Sequence, residues 1–179
     1  MKRCSWVDLS EPEYIQYHDC EWGVPVYDDG KLFEMLLLES FQAGLSWLTI
    51  LKRRREFAKA FDNFDVKKVS KYDENKINEL MKNDKIIRHR LKIQAAVSNA
   101  KVFLQIQKEW GSFSNYLWHW MDNQIIQGNG TLVRSELSDR VSADLRKKGM
   151  KFVGSVIIYS FLQAVGIIND HQQGCFKKE

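Results

Sequence analysis

His171 and Cys175 stand four positions apart near one end of the sequence, while Cys4 and His18 stand near the other. A histidine and a cysteine at that spacing can place two ligands on one metal ion, although the pair alone is only half a site. Cys4 and His18 supply a candidate other half. Two sulfurs and two imidazole nitrogens complete a tetrahedral shell with no open position, which suits a structural zinc and not a catalytic one. Such a clip would close nearly the whole chain into a loop and pin its ends together. Cys20 is left over and is expected to be a buried thiol.

A second constellation is Glu39 and Trp47, which flank Ser40-Phe41-Gln42-Ala43-Gly44-Leu45-Ser46. Glu39 sits in an otherwise apolar stretch, and Trp47 opens the next one. Together they can form one wall of a pocket around a short turn. Periodicity alone leaves the plainer alternative open, with Glu39 a solvated helix residue and Trp47 a core side chain. Tyr14, Tyr17 and His18 are spaced to share one helix face. Each carries a polar tip that needs a partner, an unusual composition for a core stripe.

These residues need helices to position them. Leu32, Phe33, Leu36 and Leu37 form the buried face of one helix, and Ile50, Leu51, Phe57, Ala58 and Phe61 that of the next, with Ser46 as its cap. Gly44 lies between them, where the chain reverses. Ser10-Glu11-Pro12-Glu13 reads as an earlier helix start with Ser10 as cap. Asp65 and Asp73 read as caps of two short helices, the second carrying Ile77, Leu80 and Met81. A long helix follows, with Ile93, Ala96, Val97, Ala100, Phe103 and Leu104 inward and Gly111 as its stop. Tyr116, Leu117 and Trp120 suggest a short helix, and residues 122–135 read as a loop. Two more helices run from Ser138 to Lys148 and from Ser155 to Val165, stopped by Gly149 and Gly166.

The chain has 179 residues, two prolines and 44% hydrophobic residues, which predicts an all-α fold with an ample core. A net charge of +4 is a mild lean towards a polyanion. Three scattered cysteines make no disulfide framework, and neither a signal peptide nor an apolar run long enough to span a membrane is recognised. A cytoplasmic setting with no membrane association is expected. Lys52-Arg53-Arg54-Arg55 reads first as a solvated helix face and second as a phosphate contact.

Leu38-Glu39-x-x-Gln42-Ala43-Gly44-Leu45-Ser46-Trp47 resembles the signature of the 3-methyladenine DNA glycosylase I family. Arg3-Cys4, Tyr17-His18-Asp19-x-Glu21-Trp22-Gly23, Lys151-Phe152-Val153-Gly154, Tyr159-Ser160-Phe161 and Asn169-Asp170-His171-x-x-x-Cys175 agree with it in the same order. The resemblance covers nearly the whole chain. It implies one glycosylase domain over residues 1–179, built as two helical lobes, with a helix-hairpin-helix element near 75–105. It also implies one structural zinc, since the family's ligands match Cys4, His18, His171 and Cys175 one for one.

The implied reaction is hydrolysis of the N-glycosidic bond of 3-methyladenine in alkylated double-stranded DNA, by base flipping and without lyase activity. Trp6, Tyr14, Tyr17, Glu39 and Trp47 are the implied base-binding residues, with Glu39 the candidate catalytic group. Gly44 and Leu45 resemble the family's plug into the gap left by the base. Arg88, Arg90 and Lys92 would attract DNA beside a hairpin at 83–92 whose helix N-terminus offers amides to a phosphate. No protein partner is implied, and a monomer is expected.

The sequence departs from the family at the hairpin, where glycine is commonly found at the position of Lys85 and none occurs between Asn83 and Lys92. Either Asn83 or Asp84 is left-handed, or the turn is built differently; an ordinary helix–helix turn is the alternative. Many helix-hairpin-helix glycosylases carry a catalytic aspartate after the hairpin, whereas residues 92–121 here contain only Glu109 as an acid. The family lacks that aspartate too. Two rivals remain: a zinc-pinned binding module without activity, and a lyase using Lys92 as Schiff-base nucleophile.

Overall fold

Every residue from Met35 to Phe41 is buried. A helix apolar around nearly its whole circumference has to lie inside other helices. In the computed structural model, which describes residues 1–178, the rest of the chain is wrapped around that segment. In chain order the helices are α1 (Pro12–Cys20), the central α2 (Asp29–Gln42), α3 (Trp47–Ala60), α4 (Val66–Val69), α5 (Glu74–Lys82), α6 (Arg90–Trp110), α7 (Phe113–Trp118), α8 (Glu136–Lys147) and α9 (Ser155–Ala164). The mostly helical expectation holds. Among the described residues the one exception is a two-residue parallel pair, β1 (Ile126–Gln127) with β2 (Ile168–Asn169), within and opposite the stretch expected to be loop.

α2 packs against α3, α6, α7 and α9. Phe33 meets Phe103 edge-on at 5.2 Å, Phe103 stacks on Phe113 at 4.0 Å, and Phe41 meets Phe57 at 4.9 Å. Each such ring, fully buried, contributes about 1.5–3 kcal/mol. Asp29, in the first turn of α2, accepts hydrogen bonds from the Phe113 and Ser114 amides at 2.8 Å. Its carboxylate thereby satisfies the free amides that begin α7.

The expected caps Ser46, Asp65 and Asp73 all accept from amides in the first turns of their helices. Ser10 does not. Its hydroxyl donates to Asp8 at 2.6 Å, Glu11 occupies the cap position, and Pro12 starts α1 where no amide is required. α8 begins two residues earlier than expected because Ser135 and Ser138 form a reciprocal capping box. The turn between α5 and α6 has neither Asn83 nor Asp84 in the left-handed region. The Asn83 side chain accepts from the Lys85 amide at 3.0 Å instead, so an asparagine-based turn does the work of the missing glycine. Cys20 is exposed at the end of α1, contrary to expectation, because α1 turns its buried side towards Tyr17 and His18.

Candidate active site

The C-terminal half of α2, the start of α3, α1, α9 and the segments 130–132 and 170–172 enclose a cavity of about 210 Å³. Trp6, Tyr14, Tyr17, Glu39 and Trp47, brought from three helices and the N-terminal segment, all line it. Trp6 meets Tyr14 edge-on at 5.2 Å and Trp22 at 5.0 Å, and Tyr17 tilts against Trp47 at 5.4 Å. The result is a slot walled by flat rings.

Glu39 is 2% exposed, and its Oε2 has no hydrogen-bond partner. The Trp47 indole Nε1 is buried and unpartnered as well. Buried polar atoms without partners are rare and costly, at about 1–3 kcal/mol each. One acceptor and one donor thus stand without protein partners on residues that line one cavity. Burial pushes the Glu39 carboxyl well above the usual carboxylate range. Burial also raises the Tyr17 phenol, with the nearby Glu39 charge adding to the effect.

Sequence reasoning assigned no role to Gln42, Ser160, Gln163, Asp170 or Gln172, which complete the lining. Asp170 is 2% exposed and accepts from the Tyr159 hydroxyl at 3.0 Å, Gln163 Nε2 at 2.6 Å and the Gly130 amide at 2.6 Å. It thereby ties the 128–132 segment over the cavity. A Cβ at Gly128 would collide with the Asp170 carboxylate, so that close approach requires glycine. The available signal was the position of Asp170 directly before a ligand-type histidine.

Cys4, His18, His171 and Cys175 are all buried, and their ligand atoms lie within 4.8 Å of one another. Cys175 Sγ is 3.4 Å from His18 Nε2 and 3.6 Å from His171 Nδ1, and Cys4 Sγ is 3.6 Å from His171 Nδ1. A tetrahedral zinc with ordinary bond lengths holds sulfur and nitrogen about 3.6 Å apart. The outward nitrogens are also engaged: His18 Nδ1 lies 2.8 Å from Asp19, which Arg3 grips, and His171 Nε2 lies 3.3 Å from the Trp22 carbonyl. Partners of that kind orient metal-binding imidazoles. The four residues can hold a metal ion.

The basic residues divide. Arg88 is exposed in the α5–α6 turn, and Arg90 is exposed but bonded to Glu74 at 2.8 Å and to Asn78. Lys92 departs from the expectation of a DNA contact. It is 6% exposed, and its Nζ donates to the Phe41 carbonyl at 2.9 Å and the Ala43 carbonyl at 2.6 Å. The first turn of α6 faces the end of α2, so this ammonium points inward to bare helix-terminal carbonyls. In the α3 run, Arg54 is drawn between Glu21 and Glu34, Lys52 pairs with Glu11, and Arg53 donates to the Asp84 carbonyl. Gly44 and Leu45 lie at the exposed tip beside the cavity, Gly44 at φ +81°.

Within a helical fold, the cavity thus combines indole and phenol rings with two buried carboxylates, the unpartnered Glu39 and the hydrogen-bonded Asp170. Comparison with known proteins names the lineage. The methyladenine glycosylase family model matches residues 6–178, and the chain belongs to that family. It is 44% identical over 180 residues to DNA-3-methyladenine glycosylase 1 of Escherichia coli, covering 98% of this chain and 96% of that protein. It is 41% identical to DNA-3-methyladenine glycosylase of Haemophilus influenzae, covering 97% and 96%. Among solved structures, 3-methyladenine DNA glycosylase I superposes with a TM-score of 0.94 at 44% identity, covering 98% of both chains. A tyrosine-to-phenylalanine variant of a 3-methyladenine DNA glycosylase I, in complex with 3-methyladenine, superposes with a TM-score of 0.95 at 36% identity, covering 100% of this chain and 98% of that one.

Proposed function

We propose that this chain is a monofunctional DNA-3-methyladenine glycosylase. The observation that carries the reading is the unpartnered Glu39 carboxylate beside the Tyr17–Trp47 ring pair in a cavity open to solvent. Methylation at N3 makes adenine cationic in the nucleotide, which weakens its bond to the sugar. The enzyme then has mainly to extract, recognise and orient it.

Extraction rotates the nucleotide out of the duplex at a cost of a few kcal/mol. Trp6 and Trp47 stack on the base, and the cationic ring gains roughly 0.5–2 kcal/mol over indole. Glu39 accepts hydrogen bonds from the adenine edge, and its charge favours the methylated form; Tyr17 contacts the base and Tyr14 lines its pocket. Gly44 and Leu45 enter the vacated gap. The bond between sugar and base breaks with its electron pair going to the base, which leaves neutral. Water adds to the sugar carbon and releases a proton.

The α5–α6 turn fits a helix-hairpin-helix that lays backbone amides against phosphate, with Arg88 and Arg90 adding attraction. Lys92, buried and bonded to two carbonyls, takes no phosphate and no lyase role in this reading. Cys4, His18, His171 and Cys175 would hold one structural zinc, whose contribution is to the fold. The reading takes residues 1–179 as one domain of two helical lobes, acting as a monomer on alkylated duplex DNA.

The test is to incubate the protein with methylated duplex DNA. Free 3-methyladenine should appear while the product strands stay intact until treated with alkali. DNA binding without base release would favour a binding module instead.

A further inference from the structure

The C-terminus of α2 ends without an internal partner for its last carbonyls. Ala43 leaves the helix at φ −46° and ψ 116°, Gly44 at φ +81° completes the turn, and the last turn of α2 carries no basic residue. The Gln42 carbonyl is taken by the Leu45 amide at 2.7 Å. The Phe41 and Ala43 carbonyls on either side are taken by Lys92 Nζ, from 51 and 49 positions away. Gly44, Leu45 and Ser46 follow directly and are exposed, and a Cβ at Gly44 would meet no atom within 4 Å. An exposed turn held only by local hydrogen bonds takes its position largely from what holds its stem.

We propose that Lys92 is a positioning residue that sets the Gly44–Leu45 tip for entry into the duplex. Its ammonium cross-links the first turn of α6, which follows the basic α5–α6 turn, to the stem of the tip. The point of the helix that meets phosphate and the point that fills the vacated gap are thereby fixed relative to each other. Preorganisation of that kind matters only while a stacked base has to be displaced. Burial lowers the Lys92 pKa, in keeping with an ammonium held by carbonyls and not by a carboxylate. The inference rests on the base-extrusion reading given above.

The test compares single-turnover release of 3-methyladenine from duplex and from single-stranded methylated DNA, using wild type, Lys92→Met, Leu45→Gly and the double variant. Lys92→Met should lose about tenfold or more on duplex and markedly less on single strands, where no stacked pair has to be opened. In the Leu45→Gly background the same substitution should cost little more, since the two act through one tip. Lys92→Arg, which keeps the charge and guards against a misfolded methionine variant, should recover part of the duplex rate. Equal losses on both substrates, full additivity with Leu45→Gly, or no loss at all would overturn the inference. Failure of the wild type to release base from either substrate would instead overturn the functional reading itself.

Discussion

Cys175 Sγ lies 3.4 Å from His18 Nε2, although 157 positions separate the two residues in the chain. With Cys4 and His171 they join the N-terminal segment and α1 to the C-terminal segment after β2 around one point. The closed sulfur and nitrogen donor set leads us to expect about one zinc per chain in protein purified without chelator. Cys175→Ser should lose the metal and more than about 3 kcal/mol of stability together, with activity falling only as far as the fold does. Elemental analysis that finds the protein metal-free yet fully stable would remove the zinc assignment.

Glu39 should cost stability at neutral pH. Its folded-state carboxyl is held above the ordinary value of 4.5 by burial, so the folded protein binds that proton more tightly than the unfolded chain does. Stability is therefore lost as pH rises from about 4.5 through the raised pKa. Glu39→Gln cannot titrate and escapes this loss. The variant should melt higher than wild type at pH 8, by about 2–4 °C for each kcal/mol recovered, and the gap should close towards pH 4.5. A melting difference independent of pH would show that the carboxyl is not shifted by burial.

The same carboxyl gives catalysis a pH dependence of opposite sense. A cationic base calls for the ionised form, so kcat/KM on methylated DNA should rise with pH through the raised pKa of free Glu39. In Glu39→Gln that limb should be missing. Parallel pH profiles for the two proteins would place the titrating group elsewhere.

Arg88 is exposed in the α5–α6 turn, whereas Arg90 is already bonded to Glu74 and Asn78. Arg88→Ala should weaken binding to all DNA sequences alike and reduce the slope of log affinity against log salt by about one. Arg90→Ala should do less. An unaltered slope in the double variant would move the DNA contact to another face of the molecule.

Borohydride should trap no covalent adduct between the protein and DNA. A Schiff base needs a free amine within reach of the sugar, and Lys92 Nζ is buried against the Phe41 and Ala43 carbonyls. An adduct mapping to Lys92 would require this segment to open during turnover.

What was legible in the sequence was what local rules determine. Leu32, Phe33, Leu36 and Leu37 announced a buried helix face by their spacing, and Gly44 with Ser46 announced the break and restart of the chain. The four ligand-type residues could be paired because the family resemblance matches Cys4, His18, His171 and Cys175 to a ligand set; the spacing of His171 and Cys175 alone offered only half a site. Lys92 was misread because its partners lie about fifty positions away, and in sequence it sits among arginines that do face solvent. Ser10 was misread because a nearer acceptor, Asp8, competes for its hydroxyl. Asp170 escaped notice for the reason Lys92 did: its donors, Tyr159, Gln163 and Gly130, converge only once α9 and the 128–132 segment are folded together. Cys20 followed a general tendency of thiols that the geometry of α1 overrides.

The central claim is that the cavity around Glu39 receives the methylated base and holds it while its bond to the sugar breaks. Its most direct test is single-turnover release of 3-methyladenine from methylated duplex DNA by wild type and Glu39→Gln, alongside the affinity of each for the free base. The substitution keeps size and most hydrogen-bonding capacity but removes the charge. Wild type should release the base. The variant should fold, bind abasic-site DNA as before, and lose roughly 1.5–3 kcal/mol of affinity for free 3-methyladenine, with release falling at least as much. Equal affinity and equal release in the two proteins would contradict the account.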